Sequence, residues 1–172
     1  MNYKVCLEGR HLKISEKASY TLVRPNTEEF NWDFGFAYKI SDDQLNGINI
    51  SGTIITCGET ILETDINEPA SETHIIKKVT KKLSGHLEYT IERHMEIVQN
   101  IDSDNLHSFS SDRIIDDLTV NIEHDDSIEV FFTPVNNQKF YHNGAYDSDR
   151  KAFINRDIFL PGEKFIIFFT IK

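Results

Sequence analysis

The stretch FNWDFGFAYKIS, residues 30–41, alternates large apolar side chains with small or polar ones along its whole length. A period of two places all six large side chains on one face of a β-strand, whereas a helix would distribute them around its surface. The stretch therefore predicts a strand with one strongly aromatic face. Burial of that face in a core is the simplest interpretation. A stacking platform for sugars or nucleobases is the alternative.

Shorter segments repeat the strand signal and are separated by turn residues such as Asn143-Gly144. Near the end of the chain, residues 165–171 are apolar at both parities, which predicts a central strand covered on both faces. We expect a mainly β protein, an antiparallel β-sandwich or a flattened barrel of about 8–11 strands with little helix. Because 172 residues can bury one sizeable core, we expect a single β-rich domain over residues 1–172.

Residues 72–100 are ambiguous because apolar side chains recur there every four positions, which suits both a helix stripe and a strand face. A helix would stack like charges, as at Glu88 and Glu92, each such pair being repulsive by about 0.2–0.5 kcal/mol. A hairpin would instead place Lys81 opposite Glu88 and Lys77 opposite Glu92. The charges therefore favour a hairpin. The alternative is one or two amphipathic helices, which would make the fold α+β.

The charge of the chain restricts its partners. With 28 acidic and 18 basic residues, the formal charge is −10, which repels nucleic-acid phosphates and anionic lipid surfaces. Residues 1–17 are charged throughout and no apolar run reaches the roughly 20 residues that cross a bilayer. We expect a cytoplasmic protein that binds neither nucleic acid nor membrane.

No motif of catalysis or metal binding stands out. Cys6 and Cys57 lack the spacing of a zinc site, the seven histidines are scattered, and no acidic loop matches an EF-hand. We therefore expect no cofactor and no metal, and we lean against an enzyme. The enzymatic alternative is a small hydrolase or isomerase with a histidine and an acidic residue in a barrel cavity.

Two groups of residues are candidates for ligand binding. The first is a loop rich in aromatic and hydrogen-bonding side chains, and the second is a cluster of lysines that suits an anion. The loop contributes Tyr141, His142, Asn143, Tyr146, Asp147 and Arg150. The cluster contributes Lys77, Lys78, Lys81 and Lys82.

These observations predict a non-enzymatic binding module that recognises a protein partner or a small ligand through its end loops. One version is an acidic inhibitor or immunity-type protein that complements the charge of a basic enzyme. A sensor domain for a nucleotide-like anion is a second version. A homo-oligomer, or a subunit that pairs a strand edge with another chain, is a further possibility.

Overall fold

The computed structural model describes residues 1–39, 49–56, 59–65, 68–71, 74–136, 138–144 and 149–172, with only the backbone described for positions 33–79 and 81 within them. These residues form fourteen strands and no helix, so the prediction of a mainly β protein is confirmed, with more strands than expected. The strands are β1 (Asn2–Glu8), β2 (His11–Val23), β3 (Phe30–Lys39), β4 (Asn49–Thr56), β5 (Glu59–Asp65), β6 (Glu68–Ser71), β7 (His74–Leu83), β8 (Glu88–Asn100), β9 (Leu106–Ser110), β10 (Thr119–His124), β11 (Ile128–Val135), β12 (Phe140–His142), β13 (Arg150–Asn155) and β14 (Lys164–Ile171).

The chain folds into two compact units. Unit 1 comprises Met1–Ser15 and Val98–Lys172, and unit 2 comprises Glu16–Ile97, so β2 and β8 contribute residues to both. The described strands form three sheets, and none of them closes on itself. This leaves the open-sheet form of the predicted fold. The assignment of residues 1–172 to one domain stays a prediction.

Unit 1 is a sandwich of two sheets. One contains strands in the order β12-β13-β10-β1-β2 and the other has the order β11-β14-β9. β14 is central in its sheet, as predicted, whereas the pairing of β1 with β10 is parallel and departs from the predicted antiparallel arrangement. Phe132 on β11 stacks on Phe153 on β13 with ring centroids 4.1 Å apart, which packs the two sheets face to face. Further aromatic rings fill the same core, at Phe109, Phe140, Phe159 and Phe165.

Unit 2 contains strands in the order β2-β8-β4-β5 and a second sheet in the order β3-β7-β6. Trp32 on β3 is 2% exposed, and its ring lies 6.2 Å from that of Tyr20 on β2. Phe30 makes an edge contact with Tyr89 on β8 at 5.8 Å. The aromatic strand is therefore confirmed as a strand. Phe30 and Trp32, the two aromatic residues of it whose side chains the structure describes, contact rings of the other sheet, as the core interpretation predicts. Residues 40 and 41 of the stretch lie outside the described residues.

The structure corrects the prediction for residues 72–100. The segment forms two strands, so the helical alternative is wrong for residues 74–100, but the two strands do not pair with each other. β7 pairs with β3, where Lys81 lies opposite Trp32, and β8 pairs with β4, where Glu92 lies opposite Thr53. Cross-strand charge pairs contribute only about 0.2–1 kcal/mol. The two strands instead join different sheets of unit 2.

An ion pair lies in the interior of unit 2. Glu16 on β2 is 1% exposed and accepts a hydrogen bond from the Arg93 guanidinium on β8, whose side chain is 15% exposed. Both residues occupy inward positions of their strands. Glu16 has the same parity as the buried Ile14 and Ala18 on β2, and Arg93 has the same parity as the buried Ile91 and Met95 on β8. A charge this deeply buried is stable only while it is paired.

Arg93→Met removes the guanidinium from a carboxylate that water does not reach, so we expect it to lower the free energy of unfolding by about 3–5 kcal/mol. Urea denaturation measures this change. Glu16→Leu combined with Arg93→Met should recover most of the loss, and Lys4→Met, which removes an exposed ion pair to Glu123, should change stability little. A single Arg93→Met variant as stable as the parent would contradict the prediction.

Candidate functional site

The side chains on the outer surface of the β11-β14-β9 sheet are those that alternate with the buried ones. Phe165, Ile167 and Phe169 of β14 are each 0% exposed and face the sandwich interior. Because side chains alternate along a strand, the residues between them, Ile166 and Phe168, point to the opposite side. Both are partly exposed, so the predicted covering of β14 on both faces holds only for its inner face.

Large apolar side chains form a row across all three strands on this outer side. Phe131 on β11 is the cross-strand partner of Phe168 on β14, which in turn pairs with Leu106 on β9. The rings of Phe131 and Phe168 have centroids 6.1 Å apart. Phe131 is 45% exposed and Leu106 is 47% exposed. We call this surface, centred on these three residues and Ile166, the outer apolar face.

Smaller and charged residues surround the row. The adjacent row contains Thr133, Ile166 and Ser108, which are cross-strand partners in the same register. The outward side chains of these three strands include two charges, Glu129 and Lys164, and no described residue forms an ion pair with either. Glu129 is paired with Thr170 and Lys164 with Val135, so the two charges lie at opposite ends of the face.

The β11 edge of this sheet is protected at two positions, Val130 and Pro134. The Phe169 amide donates to the Asn105 carbonyl at 3.0 Å, so the backbone groups of Phe169 and Phe165 point towards β9. Their cross-strand partners on β11, Val130 and Pro134, therefore point their backbone groups away from β14. The Val130 carbonyl accepts a hydrogen bond from the Lys151 ammonium. Pro134 has no N–H to donate. A capped carbonyl and a missing donor both discourage another strand from pairing here.

The β9 edge is also occupied, at Leu106. The Gln99 side chain is 0% exposed and donates to the Leu106 carbonyl at 3.3 Å and to the Asp104 carbonyl at 2.8 Å. The Asp104 carboxylate accepts the Leu106 N–H at 3.5 Å, the limit of a hydrogen bond. Both edges therefore carry local partners at the positions beside the apolar row, which leaves the face as the accessible part of this sheet.

The structure separates the residues of the predicted binding loop. His142 pairs with Phe153 on the inner side, with ring centroids 4.9 Å apart, whereas Tyr141 pairs with Ile154 on the outer side. Arg156 places its guanidinium 5.9 Å from the centroid of the Tyr141 ring.

The other described residues of the loop make separate local contacts and do not come together in one site. Arg150 forms an ion pair with Glu123 at 3.6 Å, and Asn143 is exposed at the turn, where its N–H donates to the Ala152 carbonyl. Tyr146 and Asp147 lie outside the described residues. A ligand site at this loop stays a prediction, but the described members do not share one surface.

The lysine cluster also stays a prediction. Lys82 is exposed and donates a hydrogen bond to Glu29 at 2.9 Å, and this bond raises the pKa of Lys82 above its ordinary value. Its ammonium is thereby already engaged by a carboxylate. For Lys77, Lys78 and Lys81 the structure describes only the backbone, which lies in β7 opposite β3.

The thiol of Cys6 is not activated. Burial raises its pKa, and the nearby Asp125 carboxylate raises it further, both of which favour the protonated, unreactive form. His124, which is 5% exposed, pairs with Val5 on the inner side of the sheet, whereas Cys6 follows Val5 and points to the other side. These two residues therefore do not form a Cys–His pair.

The raised pKa of Cys6 gives a direct test in a Cys57→Ser background, where Cys6 is the single thiol. Because the thiolate is the nucleophile, we expect the rate of alkylation by iodoacetamide to rise at a higher pH than it does for N-acetylcysteine. The same protein unfolded in urea should react as the free thiol does. A midpoint at or below that of N-acetylcysteine in the folded protein would refute the assignment.

No protein-family model matches this sequence, and no curated protein matches it significantly. Across the described ranges, no group of three or more histidine, cysteine and acidic side chains is arranged to hold a metal ion. In the same part of the chain, no helix is long and apolar enough to cross a membrane. Function therefore has to be inferred from the geometry and chemistry of the described surfaces.

Proposed function

We propose that this chain is a non-enzymatic module that binds a protein through the outer apolar face. The observation that carries the proposal is the row of Phe131, Phe168 and Leu106, in which large apolar side chains adjoin one another across three strands while two of them remain nearly half exposed. Single exposed apolar residues are common on monomeric proteins, whereas a contiguous exposed group of them marks an interaction site.

The composition of the face resembles that of a protein interface. Aromatic residues are enriched in interface cores and charged residues are depleted from them, with polar residues around the rim. Here Phe131 and Phe168 occupy the middle, and the two charges lie at the ends. Full burial of a large apolar side chain is worth about 1.5–3 kcal/mol, so covering the exposed halves of Phe131 and Leu106 would contribute roughly 2 kcal/mol.

The position of the face also supports recognition of a folded surface over strand addition. Strand addition requires a free edge, and Lys151, Pro134 and Gln99 occupy or disable edge positions on both sides of the row. A sheet face needs no such edge, because it binds through its side chains. The proposal thus differs from the predicted use of end loops and retains the predicted protein partner.

The charge of the chain bears on the partner and its location. The outward side chains of its strands carry one acidic and one basic residue, and the Lys151 ammonium lies 5.9 Å from the Phe131 ring centroid, so the charge of −10 belongs mainly to other surfaces. A predominantly basic partner is therefore not required for docking here. The free thiol of Cys6 suits a reducing compartment, and we include a cytoplasmic location in the proposal.

A photo-reactive benzoylphenylalanine at position 131 tests the proposal, because it keeps an aromatic side chain on the face. Irradiation in the cells that make the protein should give a covalent protein adduct. The matched control is the same residue at Tyr141, which is 48% exposed against 45% for Phe131 but lies on the other sheet of unit 1.

We expect an adduct from position 131 and none from position 141. Adducts of equal yield from both positions would show unspecific collision, and no adduct from position 131 would also refute the proposal. Phe131→Ser is expected to lower the free energy of unfolding by only about 1–2 kcal/mol, since nearly half of the side chain is already solvated.

A further inference from the structure

We infer that the partner on the outer apolar face is a second copy of this chain, packed face to face about a two-fold axis. This inference rests on the proposed function and specifies its partner. Two-fold interfaces require one patch to be complementary to itself, so that each feature meets a matching feature related by the axis. The outer apolar face meets this requirement in its shape and in its charge.

The shape requirement is met by two neighbouring rows. The large row contains Phe131 and Phe168, and the next outward row, about 7 Å further along the strands, contains the smaller Thr133 and Ser108 beside Ile166. Consider a two-fold axis that lies in the plane between the two facing sheets, runs across the strands and passes midway between these rows. This axis places the large row of each copy against the small row of the other. Side chains from the two sheets then interdigitate, as they do in a sandwich core.

The same axis satisfies the charge requirement. It lies at the level of Ile167, so the level of Thr170, where Glu129 is found, is exchanged with the level of Lys164. Glu129 of each copy therefore comes to the end of the face that carries Lys164 of the other, on a neighbouring strand about 4.8 Å away in projection. The contact would form two equivalent ion pairs.

Binding to a different protein would not require the face to be complementary to itself in shape and charge. The two outward charges of the three strands have opposite signs and lie at opposite ends, and the Lys151 ammonium lies 5.9 Å from the centroid of the Phe131 ring, so the face carries no excess of negative charge in a chain of charge −10. This makes it a surface on which two copies meet without direct repulsion between facing like charges. The face measures about 14 by 23 Å, smaller than a standard interface of roughly 800 Å² per partner. We therefore expect a weak dimer with a dissociation constant of about 10–100 µM.

Sedimentation velocity over about 1–300 µM protein tests the inference. The parent should shift from monomer to dimer, and Phe131→Ser should remain monomeric throughout the range. Tyr141→Ser, at a residue of similar exposure on the other sheet, should dimerise like the parent. Circular dichroism and thermal unfolding of each variant establish that it is folded.

The charge-reversal cycle tests the orientation of the two copies. Glu129→Lys alone and Lys164→Glu alone should each weaken dimerisation at least about tenfold, because each places like charges together at both ends. The combined variant should restore dimerisation to within about threefold of the parent. Failure of the combined variant to recover would overturn the proposed two-fold arrangement.

The outcomes separate this inference from the proposed function. A chain that stays monomeric over the whole range, or whose dimerisation is unaffected by Phe131→Ser, overturns the inference. A photo-adduct from position 131 with the mass of two chains supports both statements. An adduct with another protein overturns the inference alone, and the absence of any adduct at position 131 overturns both.

Discussion

The contact on which unit 1 depends is the aromatic packing between its two sheets. Phe132 stacks on Phe153 at 4.1 Å, and its ring also lies 5.0 Å from that of Phe165 on the central strand β14. These contacts determine which parity of β11 and β14 faces inward. Because the side-chain period of a strand is two, they also determine that Phe131 and Phe168 face outward. A slip of one residue would exchange the two sets, so the core packing specifies the outer apolar face as well.

The protection of the sheet edges gives this arrangement its functional meaning. An exposed apolar sheet face beside open edges would favour aggregation by strand pairing. In this protein the Val130 carbonyl is capped by Lys151, Pro134 lacks an N–H, and Gln99 is bound to the Leu106 carbonyl. Each of these features acts on the backbone beside the apolar row and leaves the row itself uncovered. These positions disfavour backbone pairing, so the proposed association uses contacts between side chains.

The sequence predicted the class of the fold and the strands because a period of two is a local property. Alternation predicts the strand that the structure shows at residues 30–39, and apolar residues at both parities predict the central position of β14. Pairing is not local: the charges of residues 72–100 suggested a hairpin, but β7 and β8 are joined to β3 and β4 by contacts between residues far apart in sequence. The weak charge pairs of an isolated hairpin do not compete with the burial available in a sheet.

The same limitation explains the predicted binding loop. Tyr141 and His142 looked like neighbours in one site, yet consecutive residues of a strand point to opposite faces. The outer apolar face was not predicted, because the sequence alone does not distinguish an exposed apolar residue from a buried one. Phe131 was the available signal, because it alternates with the buried Val130 and stands on the parity of the exposed Glu129 and Thr133.

A long-range repulsion and a short-range attraction between charges act on the inferred dimer in opposite directions. The charge of −10 on each copy produces a mean repulsion over distances comparable with the Debye length, about 10 Å at 0.1 M salt, and salt weakens it. The ion pairs between Glu129 and Lys164 act over a few ångströms and orient the two copies. Apolar burial in the row supplies the main attraction between the copies. This burial depends little on ionic strength. The row therefore determines whether two copies associate, and the two charges determine in which direction their strands run.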